Sequence, residues 1–251
     1  MSNNFWKSFS IVLHVLFDEY EIQQKVFIDV YTKSDDVELV NLLIEYTEID
    51  VSSNDNCAIR RASRNGHIAV VDRLLQEDMS KNRVDPSADS NVAIRYASEY
   101  GHIAVVDRLL QDRRVDPSDN NNSAIRCASR NGNIGVVERL LQDIRVDPSA
   151  DNNYAIRWAS LNGHIAVVDR LLQDRRVDLC ANDNYAICYA SYYGHIAVVE
   201  RLLQEDRSRV DLSANVNDCA IRWASLRGHK AIVDILLQKD RLRVKNLDTQ
   251  T

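Results

Sequence analysis

The sequence predicts an all-α chain built as a helix-turn-helix repeat solenoid, and three observations carry that prediction. An Ala-Ile pair recurs at Ala58-Ile59, Ala93-Ile94, Ala124-Ile125, Ala155-Ile156, Ala186-Ile187 and Ala220-Ile221, at intervals of 35, 31, 31, 31 and 34 residues. A second anchor keeps the same register at Gly66-His67, Gly101-His102, Gly132-Asn133, Gly163-His164, Gly194-His195 and Gly228-His229. Glycine and proline are scarce, 7 and 3 in 251 residues, so helix-breaking punctuation falls mainly between units. Self-similarity at a period of roughly 30 residues is the signature of stacked supersecondary units.

The elements follow in order. Phe9–Phe17 reads FSIVLHVLF, too short to cross a bilayer and followed by the acidic run Asp18-Glu19-Tyr20-Glu21 instead of a cleavage site. Phe9, Val12, Leu13, Leu16, Phe17 and Tyr20 share one helical face, so residues 1–26 are expected to form an N-terminal capping region around a packed helix. Residues 27–53 read as a degenerate repeat. Phe27-Ile28 stands where Ala-Ile would, and Val37, Leu39, Val40, Leu43 and Ile44 match Ile68, Val70, Val71, Leu74 and Leu75 at an offset of 31. Six repeats then occupy 54–251, the last serving as a cap: Lys230 replaces the isoleucine of earlier units and Lys239 and Lys245 follow, as suits a unit facing water.

One complete repeat, Asn152 to Ala181, reads NNYAIRWASLNGHIAVVDRLLQDRRVDLCA. Asn153 is the expected N-cap of a first helix, whose Ala155, Ile156 and Ala159 face one way. Gly163 ends it, and a second helix follows with Ile165, Val168, Leu171 and Leu172 on its apolar stripe and Asp169, Arg170 and Gln173 outside. Arg176-Val177-Asp178-Leu179 forms a short β-like connection, with Pro86, Pro117 and Pro148 at the position of Leu179 in other repeats. About six apolar side chains per repeat cannot offset the ordering of ~31 residues, so each unit needs neighbours.

Composition narrows the function. A net charge of −6 argues against nucleic acid as the main partner, since phosphate-backbone binders carry a basic excess. Cys57, Cys127, Cys180, Cys188 and Cys219 form no Cys-x-x-Cys pair and are odd in number, which points to reduced thiols in a cytoplasmic setting. No segment is long and apolar enough for a membrane span.

The pattern A-I-R-x-A-S-x-x-G-H-I-A-V-V-D-R-L-L resembles the ankyrin repeat, whose helix pair carries T-P-L-H-x-A-A-x-x-G-H and then V-V-x-L-L-L. The resemblance covers residues ~27 to ~247. Ala155-Ile156-Arg157 stands where the family has Pro-Leu-His, Asn152 replaces the glycine of the family's hairpin, and the commonest interval is 31 against the family's ~33, so the fingers are expected to be short. The Arg-bearing, Asn-rich variant is similar to ankyrin-repeat proteins of amoeba-infecting giant viruses or protists, which would place it in the host cytoplasm if viral. The resemblance implies a concave surface of finger tips and first helices that grips a partner protein, with no enzymatic activity and no cofactor.

Residues that could carry chemistry have plainer readings. The histidines of the Gly-His slots (Gly66, His67, Gly101, His102, Gly163, His164, Gly194, His195, Gly228, His229) sit one per repeat. Packed helices lie ~8–10 Å apart and zinc needs ligands at ~2 Å, so the rungs are expected to bond backbone at the start of the second helix and to hold no metal. Ser63, Ser98, Ser129, Ser160, Ser191 and Ser225 recur where the family has alanine, and none stands out with a base and an acid beside it. Arg60, Arg95, Arg126, Arg157 and Arg222 form a ladder broken by Cys188. It reads either as an anion-binding stripe or as inter-repeat hydrogen bonds and ion pairs, and the second is favoured because Arg suits partly buried bidentate pairing.

Variation among the repeats marks positions released from packing. One position reads Arg61, Tyr96, Cys127, Trp158, Tyr189, Trp223; those before the glycine include Glu99-Tyr100, Leu161, Tyr192-Tyr193 and Leu226-Arg227. These residues are the expected partner-binding groove, since aromatics and Arg dominate binding hot spots; the competing reading is that Trp158 and Trp223 fill gaps between repeats. The expected function is a monomeric protein-binding scaffold, in a virus–host setting if the origin is viral. Its rivals are an adaptor that recruits targets to a ubiquitin ligase through residues 1–26 and an anion-binding or small-molecule site on the Arg ladder.

Overall fold

A computed structural model describes residues 37–46, 50–76, 84–179, 181–205 and 214–248. The helix expected near the N-terminus, Phe27-Ile28, and the long connections at 77–83 and 206–213 lie outside the described residues. The chain divides into two compact units, residues 1–120 and 121–251. The first holds α1 (Val37–Tyr46), α2 (Ser53–Asn65), α3 (Ile68–Leu74), α4 (Ala88–Tyr100) and α5 (Ile103–Leu110). To the second belong all but the first two residues of α6 (Asp119–Asn131), then α7 (Ile134–Leu140), α8 (Ala150–Leu161), α9 (Ile165–Leu172), α10 (Ala181–Tyr193), α11 (Ile196–Leu202), α12 (Ala214–Leu226) and α13 (Lys230–Asp248). No strand occurs among the described residues, and the fold is an all-α repeat solenoid.

Each repeat buries the same few side chains. In the first unit Ile59, Ala62, Val70, Val71, Ile94, Ala97, Val106 and Leu109 are closed to solvent or nearly so, and in the second Ile125, Ala128, Ile156, Ala159, Val168 and Leu171 are. The second-helix stripe is set one residue differently from expectation: Val167 joins Val168, Leu171 and Leu172 in the core, while Ile165 is only half-buried. The reason is angular. Val167 lies one residue before Val168 and ~40° from Leu171 on the helical wheel, so it shares their face, whereas Ile165 is the first residue of its helix. Ile103 and Ile196, its equivalents, are 45% and 41% exposed.

The entry to the first helix is the largest departure from sequence expectation. Asn54, Asp55 and Asn56 adopt φ of 52°, 55° and 59°, and Asp151, Asn152 and Asn153 adopt 56°, 54° and 59°. Asp89-Ser90-Asn91 and Asn120-Asn121-Asn122 do the same. Each first helix with a described entry therefore begins on a full left-handed turn, closed by an i→i−4 bond such as Asn153 N–H to Ser149 O at 2.8 Å. Left-handed backbone costs an ordinary L-residue ~1–2 kcal/mol, and Asn and Asp are the side chains that tolerate it best. That explains the Asn-rich composition, and Asn152 in place of the family's glycine.

Asn153 is accordingly not an N-cap. Its side-chain oxygen points to the following repeat and accepts the Asp178 N–H at 2.7 Å. Asn56 does this for Asp85, Asn91 for Asp116 and Asn122 for Asp147. The Asp so held makes a turn of its own: Asp85 Oδ1 accepts both the N–H and the hydroxyl of Ser87, as Asp147 does from Ser149. The segment expected to be β-like is thus a run of turns whose polar groups are satisfied by side chains, with Val115, Val146 and Val177 buried beneath it.

Candidate partner-binding surface

The Gly-His slots join neighbouring repeats. The imidazole of His195 donates from Nε2 to the carbonyl of Leu161 at 2.8 Å, His164 to Arg130 at 3.0 Å, His229 to Tyr192 at 3.0 Å and His102 to Arg64 at 2.9 Å. The acceptor is the end of the preceding repeat's first helix, not the start of the histidine's own second helix as expected. The ring also lies over the preceding glycine: a Cβ on Gly163 would sit 2.6 Å from His195 Nδ1. With φ at +75°, that glycine is required twice over, by backbone conformation and by space. Among the described residues no group of three or more His, Cys, Asp or Glu is placed to hold a metal ion.

Arginines fill the next layer. Arg60 Nη1 pairs with Asp89 at 2.8 Å and its Nη2 donates to Asn54 O, while Arg126 pairs with Asp151. Arg157 instead donates to the carbonyls of Asn152 and Asp151, at 2.8 and 3.0 Å. These first-helix arginines hold the left-handed turns of their own and the next repeat. On the second helices Arg108 reaches Asp72 of the preceding repeat and Arg201 reaches Asp169, both at 2.5 Å, and Arg73 bonds Asn41. Aspartate and arginine adjacent in sequence, as Asp72-Arg73 and Asp107-Arg108 are, do not face each other within a helix, and here Asp72 and Arg108 pair between repeats instead.

The finger connections carry a third arrangement, unforeseen from the sequence. Asp112 and Arg114, Asp143 and Arg145, and Asp174 and Arg176 form two-point pairs. Arg114 and Arg176 also donate to the preceding repeat's Val84 and Val146 carbonyls at 2.8 and 2.9 Å. The guanidinium bonded to each aspartate holds Asp112, Asp143 and Asp174 below the usual carboxylate range, and the same bonds raise Arg114 and Arg176.

Above this scaffold lie the variable side chains. In the first unit Tyr96 is half-buried, Tyr100 is 47% exposed and Arg61 is exposed. Arg64 stands 5.7 Å from the Tyr96 ring and 5.2 Å from the Tyr100 ring, and donates to the Tyr100 hydroxyl at 3.0 Å. Glu99 is half-buried on the same helix.

The second unit gathers more aromatics. Trp158 stacks on Tyr154 at 5.2 Å between ring centres, and borders a shallow depression with Arg130, Asn131, Asn162 and His164. Trp223 meets Tyr185, Tyr189 and Tyr192 at 6.4, 5.8 and 5.8 Å. Tyr193 packs edge-on to Tyr192, and Arg227 lies over the Tyr192 ring at 4.8 Å. Leu161 is half-buried, whereas Tyr193, Leu226 and Arg227 are exposed. The rings are thus both inter-repeat packing and partly open surface. Tyr154 and Tyr185 were missed from the sequence. Their signal was available: they vary among repeats at a position four residues before Trp158 and Tyr189, on the same helical face.

Comparison with known families identifies what the repeats resemble. Residues 156–248 match a family model described as ankyrin repeats (3 copies), and residues 94–141 match one described as ankyrin repeats (many copies). The two matches together span more than half of the chain. No curated protein matches it.

Proposed function

Because the chain belongs to the ankyrin-repeat family, whose repeats generally mediate protein–protein interaction, we propose that it is a non-catalytic scaffold binding a partner protein through the variable side chains of its first helices. The observation that carries this is the contrast within each repeat. On the first helices the recurring Ala-Ile pair and the alanine after it are buried, as Ala155, Ile156 and Ala159 are, while the positions that vary hold Tyr96, Tyr100, Trp158, Tyr189, Tyr192, Tyr193, Trp223, Leu226 and Arg227, half-buried or exposed. Rings with few rotors, partly supported by one another, lose little entropy when a partner covers them.

The Asn-rich, Arg-bearing repeat supports a place among the ankyrin-repeat proteins of giant viruses or protists, and so a role between virus and host. Cys57, Cys127, Cys188 and Cys219 are in no disulfide, which fits a reducing cytoplasm. No helix among the described residues is long and apolar enough to cross a membrane. An adaptor role through residues 1–26 rests on no motif in that segment.

Affinity purification from the native cell, with the wild type and a Tyr96→Ala, Trp158→Ala, Tyr189→Ala, Trp223→Ala variant, tests the proposal. Loss of a wild-type partner by at least tenfold is expected. Equal recovery by a variant that remains folded would remove these rings from the interface.

A further inference from the structure

Charge and ring geometry in the second unit specify the partner further, an inference resting on the protein-binding reading above. In the right-handed parts of its first helices and the turns that end them (123–131, 154–162, 185–193 and 219–227), the sequence places five arginines and not one aspartate or glutamate. The described acids of this unit lie elsewhere, among them Asp151 in a left-handed turn, Glu138, Asp169 and Glu200 on second helices, and Asp143 and Asp174 in fingers. Of the five, Arg222 and Arg227 are exposed. Arg157 is held by carbonyl oxygens, which position its guanidinium without neutralising it.

These charges border rings whose faces are already in use. Tyr185, Tyr189 and Trp223 pack against one another, and Arg227 covers Tyr192. A single-stranded nucleic acid needs open ring faces on which its bases can stack. Rings already packed on one another instead offer a peptide apolar contact, with hydroxyl and indole N–H groups for its carbonyls. We infer that the second unit binds an acidic peptide segment of its partner, its carboxylates set against Arg222 and Arg227 and its apolar side chains against Tyr189 and Trp223. Complementary charge at such a rim governs partner choice and association rate, and salt weakens it.

Selection of a random-peptide display library on the full chain tests this. Wild type should enrich Asp- and Glu-rich peptides, and the best of these, synthesised with a fluorescent label, should bind at least tenfold more weakly to an Arg222→Glu, Arg227→Glu variant of unchanged thermal stability. Its affinity should also fall as salt rises. Enrichment of neutral or basic peptides, no enrichment, or equal affinity for the charge-reversed variant overturns the inference, as does tighter binding of a single-stranded oligonucleotide than of the acidic peptide. A Tyr189→Ala, Trp223→Ala variant separates the two readings. If neutral peptides are selected and this variant loses them, the surface binds protein but without the charge rule; if it retains every selected peptide, the surface reading itself fails.

Discussion

The demand on a single residue is clearest at Gly163, where two requirements that usually coincide can be measured apart. Its backbone is left-handed at φ +75°, and the next repeat's histidine ring occupies the space where a side chain would begin. Gly228 has the same φ, yet nothing lies within 4 Å of a Cβ placed there. Alanine at Gly228 should therefore cost only the conformational penalty, ~1 kcal/mol. At Gly163 it adds the displacement of His195 and its bond to Leu161 O, a further ~1–3 kcal/mol. Thermal melts of the two variants should rank Gly163→Ala well below Gly228→Ala. Equal shifts would mean that the ring moves aside at no cost.

At the scale of an element, the finger is stabilised by charge more than by strand pairing. Asp112, Asp143 and Asp174 have their pKa depressed by the arginine two residues on. A depressed folded-state pKa contributes stability that is whole above the unfolded value, ~3.9, and is lost as pH falls below it toward the folded value. The melting temperature should fall as pH drops from ~5 toward ~3, and Asp174→Asn should lose part of that slope. Each pair is partly solvated and worth no more than about 1 kcal/mol, so the effect belongs to the set and should shrink in high salt. A pH slope untouched by Asp174→Asn would place the sensitivity in other carboxylates. Elements of this kind also mark the limit of what could be read. Helix pairs, glycine slots and core alanines were legible because hydrophobic period and recurrence specify them. The left-handed turn at Asp151-Asn152-Asn153 was not, because Asn and Asp before a helix suggest an N-cap equally well, and only the partner of the Asn153 oxygen decides. The variable rings were legible as positions, but their mutual packing around Trp223 depends on distances between repeats that one sequence does not state.

For the whole molecule, stability is a sum of local terms and contacts between adjacent repeats, so unfolding need not be all-or-none. Trp158 and Trp223 both lie in the second compact unit, whereas helix is spread over both units. In a Trp6→Phe background, urea transitions followed by tryptophan fluorescence and by far-ultraviolet circular dichroism should differ in midpoint. Coincident curves would make the chain one cooperative body. A last consequence lies in the stereochemistry of the left-handed turns. A residue at φ near +55° occupies the mirror image of ordinary helical backbone, which is the relaxed conformation of a D-amino acid. Asn121 and Asn152 are exposed, so D-alanine introduced there by chemical ligation would keep the turn and relieve it of strain that no L-residue with a side chain escapes. The chain is, for three residues in each such repeat, built with the opposite hand.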